Sequence, residues 1–270
     1  MDPVTREKTP MDGSHAAVKV PSLVWTIVTA LLLSACAWSP PAEIRRDMAA
    51  EAMVSALRKI NTGLNQFKYI GKLTIDDRNR PVQAFRVAIA GQFPAQLRID
   101  MFAPIGGSAA LFASDGKHLF LFDHRSHEYY KKRFGRGSLK RFIGLDLSVG
   151  DLLELLAGRI PIGEQLIARS KLERDGHTSQ LILVDRNARI RQRIITDDAL
   201  RPVESVWYDE REAERFKARL QGGQSVDGFV LPRRVEVSGV AGTQVSVAID
   251  RFEVNVDFDE HLFAPERPGS

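Results

Sequence analysis

The only cysteine of the chain, Cys36, is the side chain best suited to covalent chemistry. A polar and basic lead ending at Lys19 precedes the apolar run Leu23–Leu33, and two small residues then come directly before the cysteine. This order is typical of a bacterial export signal with its cleavage site. It predicts that residues 1–35 are a signal peptide and that a lipid is attached to the thiol of Cys36. Met11 is an equally plausible start of this signal peptide.

The four residues Leu33-Ser34-Ala35-Cys36 resemble the lipobox of bacterial lipoproteins. Two other interpretations remain open for this stretch. The stretch Pro21–Cys36 could span a membrane uncleaved, although it offers about 15 apolar residues where a bilayer needs roughly 20. Cys36 could also be a buried thiol, but prolines follow at Pro40 and Pro41. Residues 36–46 have no apolar period, which indicates a lipidated tether in front of a folded domain at 47–270.

Other residues that could support chemistry are sparse. His124 and His127 have an H-x-x-H spacing, but no third ligand accompanies them, so a metal site is not expected. The sequence contains no Gly-x-Ser-x-Gly elbow, no phosphate-binding loop and no isolated carboxylate pair in an apolar context. We therefore expect no enzymatic activity and no cofactor apart from the covalent lipid and any bound acyl chains.

Charge points towards lipid rather than nucleic acid. The formal net charge is +4, a mild excess that suits an anionic membrane surface, and an exported protein seldom meets nucleic acid. One basic run contains no acidic residue and is a candidate for phospholipid headgroup contact: Lys131, Lys132, Arg133, Lys140 and Arg141. The alternative interpretation of this run is an ordinary solvated face.

Hydrophobic periodicity predicts one domain that is mainly β. A stripe from Ala50 to Leu64 with spacings of three and four indicates an initial helix. From Phe67 onward the period becomes two, with short turns between successive rows, which favours antiparallel strands in a meander. We expect about ten or eleven strands. They are interrupted by a helical insertion that contains a short helix at 138–143 and a better one that starts after Ser148.

Two features of this pattern are unusual. The turn after the third strand contains the apolar residue Ile105, flanked by Pro104, Gly106 and Gly107. A solvated turn normally avoids such a residue. The run Leu119–Phe122 is apolar on both faces, so both faces should be covered. Ile105 could alternatively fold back onto the sheet.

The segment 97–108, the Asp115-Gly116 turn and the helix at 152–161 with its Gly-x-x-Pro ending resemble the middle of LolB, the outer-membrane receptor for lipoproteins. The resemblance implies an incomplete antiparallel β-barrel around a hydrophobic cavity, with helices as a lid. It also places Ile105 where LolB has an exposed leucine on a protruding loop, which helps to place lipoproteins in the membrane.

The expected function follows from this resemblance and from the apolar faces of the predicted strands. Acyl chains of lipoproteins, received from a LolA-like periplasmic carrier, would enter the cavity and pass to the outer membrane from its periplasmic side. Ala37 is not the aspartate that signals inner-membrane retention in enterobacteria. Candidate cavity and lid residues are Leu152, Leu155, Leu156, Phe120 and Phe122. The alternatives are a binding module for a free lipid or glycolipid, and a structural lipoprotein of an envelope complex whose interior is filled.

Overall fold

The computed structural model describes residues 47–78, 80–133, 139–140, 144–170, 178–259 and 261–266. The predicted signal peptide, Cys36, the tether and most of the short helix at 138–143 lie outside these residues. The contacts divide the chain into Met1–Glu43 and a compact unit, Ile44–Ser270. No helix in the described ranges combines the length and the apolar character needed to cross a bilayer.

The first helix, α1 (Met48–Lys59), starts at an N-cap. The Asp47 carboxylate accepts the N–H groups of Ala49 and Ala50 at 3.0 and 3.2 Å, which satisfies two of the free donors of the first turn. The helix ends earlier than its apolar stripe, because Asn61 has a φ of 51°, in the left-handed region. The end of the stripe therefore lies in the loop that follows.

The rest of the described chain forms one antiparallel sheet and a second helix, α2 (Val149–Leu156). The strands are β1 (Gln66–Asp77), β2 (Arg80–Gln92), β3 (Gln96–Phe102), β4 (Ser108–Asp115), β5 (His118–Asp123), β6 (Glu128–Arg133), β7 (Ile167–Ser170), β8 (Thr178–Val184), β9 (Ile190–Asp197), β10 (Pro202–Tyr208), β11 (Glu214–Val226), β12 (Phe229–Gly239) and β13 (Gln244–Val254). The described sheet thus has 13 strands, more than the predicted ten or eleven.

The strand order is β6-β5-β4-β3-β2-β1-β13-β12-β11-β10-β9-β8-β7. Every neighbouring pair is consecutive in the chain except β1 and β13, which join the two halves at the centre. The end strands β6 and β7 do not pair with each other in the described sheet, so the barrel is not closed. The prediction of an incomplete antiparallel barrel is confirmed.

The hydrophobic core lies between one face of the sheet and the two helices. Phe67 and Tyr69 of β1 stack at 4.5 Å between ring centroids and are almost fully buried. Gly71 follows on the same face of β1, and a Cβ at this position would collide with the backbone carbonyl oxygen of Ala248 in β13. The close approach of the two central strands therefore requires glycine. We call this covered face the inner face and the opposite one the outer face.

One hairpin turn occurs five times in the described chain. In each case the N–H of the first residue donates to the carbonyl of the fifth, and the N–H of the fourth donates to the carbonyl of the first. This pattern is a type I turn followed by a left-handed residue. The left-handed positions are Gly106, Ala188, Leu200, Glu212 and Gly242. The positive φ suits the two glycines and strains the other three residues.

Candidate functional site

An apolar cavity of about 200 Å³ lies between the inner face and the helical insertion. Its wall consists of apolar side chains alone: Leu73, Ile75, Ile89, Ile99, Met101, Phe112, Leu121, Leu139, Leu145, Leu147, Leu152, Leu156, Val237, Val245 and Val247. A 150 Å³ cavity lined by such residues stays dry and binds benzene, so by proportion this one has room for about eight carbon atoms. It can hold an alkyl group without any hydrogen-bonding partner.

Strand register places these side chains side by side. Ile89 pairs with Ile99, Ile99 with Phe112, and Phe112 with Leu121, and directly opposed residues project from the same face of a sheet. A continuous apolar row therefore crosses β2 to β5. The other wall repeats this arrangement in β1, β13 and β12, so both halves of the meander supply the cavity.

Helix α2 covers the side of the cavity that faces away from the sheet. Ser148 and Asp151 form the capping box that the sequence predicts, with the Ser148 Oγ accepting the Asp151 N–H at 3.0 Å and an Asp151 carboxylate oxygen accepting the Ser148 N–H at 2.9 Å. Leu152 and Leu156, one turn apart, line the cavity, as the sequence analysis expects. The third predicted lid residue, Leu155, is buried in the core but is not part of the cavity wall.

The prediction that Phe120 and Phe122 line the cavity is wrong. Leu121 lies between them on β5 and points into the cavity, so strand alternation places both phenylalanines on the outer face. They are nevertheless 3% and 7% exposed. Both faces of this strand are thus covered, as predicted, but these rings belong to the outer side.

The segment after β13 returns over this part of the outer face. Leu262 and Pro265 offer their carbonyl oxygens to Arg98 of β3 at 3.1 Å and to the Tyr129 hydroxyl of β6 at 3.2 Å. Phe263 is 2% exposed and meets Phe258 edge to face. Sequence reasoning could not place this cover, because the segment lies far along the chain from the strands that it contacts.

Ile105 is completely exposed at the tip of the turn between β3 and β4. The Gly106 N–H donates to the Ala103 carbonyl at 3.1 Å, and the Ala103 N–H donates to the Gly107 carbonyl at 3.0 Å. Gly106 and Gly107 have φ angles of 90° and 81°, which glycine adopts at no steric cost. The backbone thus holds Ile105 away from the sheet, and the alternative of a folded-back side chain does not apply.

The basic run is not next to Ile105. Lys131, Lys132 and Arg133 are exposed on the edge strand β6, which runs away from the turn that carries Ile105. The Lys131 ammonium lies 5.3 Å from the centroid of the Phe120 ring, a cation–π contact. Lys140 is exposed, and Arg141 lies outside the described residues. Headgroup contact by this run stays a prediction.

The histidines and other titratable groups form no metal centre among the described residues. His124 lies against Phe122 in the turn between β5 and β6, and His127, in the same turn, has a left-handed backbone with a φ of 55°.

Sequence reasoning missed Arg159, which follows α2. Its Nη2 donates to the carbonyl oxygens of Asn61 and Leu64, both at 2.6 Å, and its guanidinium lies 4.4 Å from the centre of the Phe93 ring. Burial lowers the pKa of Arg159, and burial raises the pKa of the Glu154 carboxyl 3.6 Å away. Arg159 therefore connects the end of α2 to the loop after α1. The only sequence feature that could have indicated this role is its position directly after Gly158, which ends the helix.

Solved structures share this architecture. A LolA superfamily protein from Nitrosomonas europaea is 12% identical over 80% of this chain and 97% of its own, with a TM-score of 0.56. The chain has the LolA fold. A domain described as an outer membrane lipoprotein-sorting protein, from Vibrio parahaemolyticus, is 14% identical over 80% of this chain and 96% of its own, with a TM-score of 0.58.

A DUF1329 family protein from Desulfovibrio piger is also similar in structure, with 12% identity over 80% of this chain and 95% of its own and a TM-score of 0.59. No family model and no curated protein matches the sequence. At these identities the likeness establishes the fold, and LolA-fold proteins can carry different functions on it.

Proposed function

We propose that the protein is a lipoprotein, anchored through Cys36 at the periplasmic face of the outer membrane, that takes up acyl chains of other lipoproteins and passes them to the bilayer. The wholly apolar cavity carries this proposal. Its walls can hold hydrocarbon, and we expect no catalysis and no cofactor there. The Vibrio domain, described as an outer membrane lipoprotein-sorting protein, supports the assignment to the cell envelope.

Uptake of a whole acyl chain would require the lid to open. About eight methylene groups leaving water would contribute on the order of 6 kcal/mol, but ligand pockets usually measure roughly 300–1,000 Å³. A cavity of about 200 Å³ admits only part of an acyl chain. Leu139, Leu145 and Leu147 join α2 in covering it, so movement of this insertion would enlarge the space next to the sheet.

Two alternative functions use the same fold. A binding module for a free lipid or glycolipid would need the same cavity but no delivery step. A structural envelope lipoprotein would need no cavity, and the small volume in the closed form is the observation that favours it.

The decisive experiment is lipid analysis of the Ile44–Ser270 unit, secreted to the periplasm behind a cleavable signal and purified without detergent. Mass spectrometry should detect acyl lipid bound in stoichiometric amount. Protein free of lipid, with unchanged stability after delipidation, would favour the structural role. Depletion of the full protein should then leave other lipoproteins on a periplasmic LolA-like carrier, whereas normal sorting would leave only the free-lipid alternative.

Ile105→Glu tests delivery separately from binding. Because Ile105 contacts no core residue and is completely exposed, the fold and the bound lipid should be unchanged. A carboxylate at the bilayer contact is unfavourable, so transfer of lipoprotein from carrier to vesicles should fall at least tenfold. Ile105→Leu should transfer normally. Wild-type transfer by the glutamate variant would contradict the role of this loop.

A further inference from the structure

Two cations face each other directly on the outer face of the two longest strands in the first half of the sheet. Lys72 of β1 pairs with Arg86 of β2, and both side chains are exposed. Opposed residues in an antiparallel pair have Cβ atoms about 5 Å apart, and like charges in that position destabilise a sheet. The fold therefore carries a repulsive pair at its centre.

No ion pair joins Lys72 or Arg86 to an acidic group of the described residues, although Asp250 lies two residues from Ala248, the β13 partner of Lys72. Asp100 accepts two hydrogen bonds from Arg98, at 2.8 and 3.0 Å. Glu236 lies 3.7 Å from Arg219 and 3.9 Å from Arg234. Asp76 lies on the same face of β1, but four residues along, or about 13 Å. Within the described residues, neither cation of the pair forms an ion pair.

Exposed apolar side chains lie next to the pair, towards the end of the sheet where β3 ends. Phe102 is the β3 partner of Arg86 and is 38% exposed. Val82, on the same face of β2, is 60% exposed, and Ile105 follows three residues after Phe102. Val240, in the turn between β12 and β13 at this same end, is 69% exposed. Apolar groups that can enter a bilayer thus flank cations that can contact headgroups.

We propose that this outer surface of β1–β3, made of Lys72, Arg86, Val82 and Phe102, docks onto the anionic phospholipid headgroups of the target bilayer. The inference rests on the proposed membrane role and adds a lipid preference and an orientation to it. The occupant is a bilayer rather than an acidic protein because exposed apolar side chains project next to the cations, at the end of the sheet where β3 ends. The occupied state removes the repulsion that the free protein tolerates.

The test measures how the full chain partitions onto sedimented vesicles of phosphatidylcholine alone and of phosphatidylcholine mixed with phosphatidylglycerol. The N-terminal segment is identical in all variants, so it contributes equally to each. Each cation near an anionic surface is worth about 1 kcal/mol, so Lys72→Gln/Arg86→Gln should bind the anionic vesicles about 30-fold more weakly. Binding to the neutral vesicles should not change.

Arg186→Gln/Arg211→Gln removes the same charge from two exposed turns in the other half of the sheet and should bind like the wild type. The Lys72/Arg86 variant should also unfold at an unchanged or higher temperature, because it loses a repulsion. An equal loss in the control variant would reduce the effect to net charge and overturn the proposal. Wild-type binding by the Lys72/Arg86 variant would overturn it too.

Failure of the wild type to sediment preferentially with the anionic vesicles would also overturn the proposal and leave an acidic protein as the occupant. Lipid content separates this inference from the proposed function. The Lys72/Arg86 variant should retain its acyl lipid in full. Absence of acyl lipid from the wild type would instead contradict the proposed function and leave the docking result unaffected.

Discussion

Replacing Arg159 with methionine should destabilise the protein by about 3 kcal/mol. The substitution keeps an apolar stem but removes the hydrogen bonds to the carbonyls of Asn61 and Leu64, both 2.6 Å long. A hydrogen bond with a charged donor contributes about 1.5–3 kcal/mol. The Leu64 carbonyl would need a new partner, whereas the Asn61 carbonyl would keep the Leu64 N–H at 3.0 Å. The buried Nε of Arg159 has no hydrogen-bond partner. This unpaired donor offsets part of the stability that the two hydrogen bonds contribute, so we expect the lower end of their summed range.

The loss should also depend on pH. Burial raises the pKa of Glu154, whereas the charge of Arg159 lowers it, so the methionine variant raises this pKa further. A carboxyl with a raised pKa in the folded state keeps a proton that the unfolded chain has released. Its stabilising contribution is therefore complete at low pH and is lost as pH rises through the folded pKa. The effect of Arg159→Met should be larger at pH 7 than near pH 4.

Urea unfolding at both pH values, followed by circular dichroism, measures this effect. Arg186→Met, in an exposed turn, is the matched control and should change the unfolding free energy by less than about 0.5 kcal/mol. Adding Glu154→Gln to the methionine variant should abolish the pH-dependent part. A loss below about 1 kcal/mol at neutral pH, or an equal loss at both values, would refute the reasoning.

Three further predictions concern the sheet and the cavity. Gly71→Ala should cost more than about 3 kcal/mol in chemical denaturation, because the new methyl group meets the Ala248 carbonyl, whereas Gly63→Ala should stay within about 1 kcal/mol; similar losses in both would contradict the argument. Leu200→Gly should stabilise the protein by up to about 1 kcal/mol, because relief of the strain at its φ of 57° exceeds the entropy that glycine loses on folding, and a lower melting temperature would contradict this balance. Val237→Phe should reduce the recovered acyl lipid while the protein stays soluble, and an undiminished lipid content would separate lipid binding from this cavity.

The parts of the fold that depend on neighbouring residues could be predicted from the sequence. The Ser148 capping box and the alternation from Phe67 onward are local signals, and α2 and β1 lie where these signals predict. The orientation of Leu119–Phe122 was ambiguous, because all four residues are apolar and the cover on the second face comes from the segment around Phe263. Local pattern carries no information about such distant contacts.

The candidate site divides in the same way. Ile105, Leu152 and Leu156 could be selected from local composition. Arg159 and the Lys72–Arg86 pair could not, because their significance depends on which carbonyl or which strand lies opposite. Register between strands is a property of pairing, and no single segment contains it.

The pairing of β1 with β13 has a consequence for synthesis. β1 is the first strand to leave the ribosome and β13 is the last. The edge of β1 that pairs with β13 therefore stays unpaired while the chain between them is synthesised. Strands β2 to β6 can add to the other edge of β1 as they emerge, but the closing contact has the largest sequence separation in the sheet and must form late. Until then the exposed edge can pair with another chain. A chain truncated before Gln244 would keep that edge unpaired permanently. Loss of the last strand should therefore make the first strand prone to aggregation.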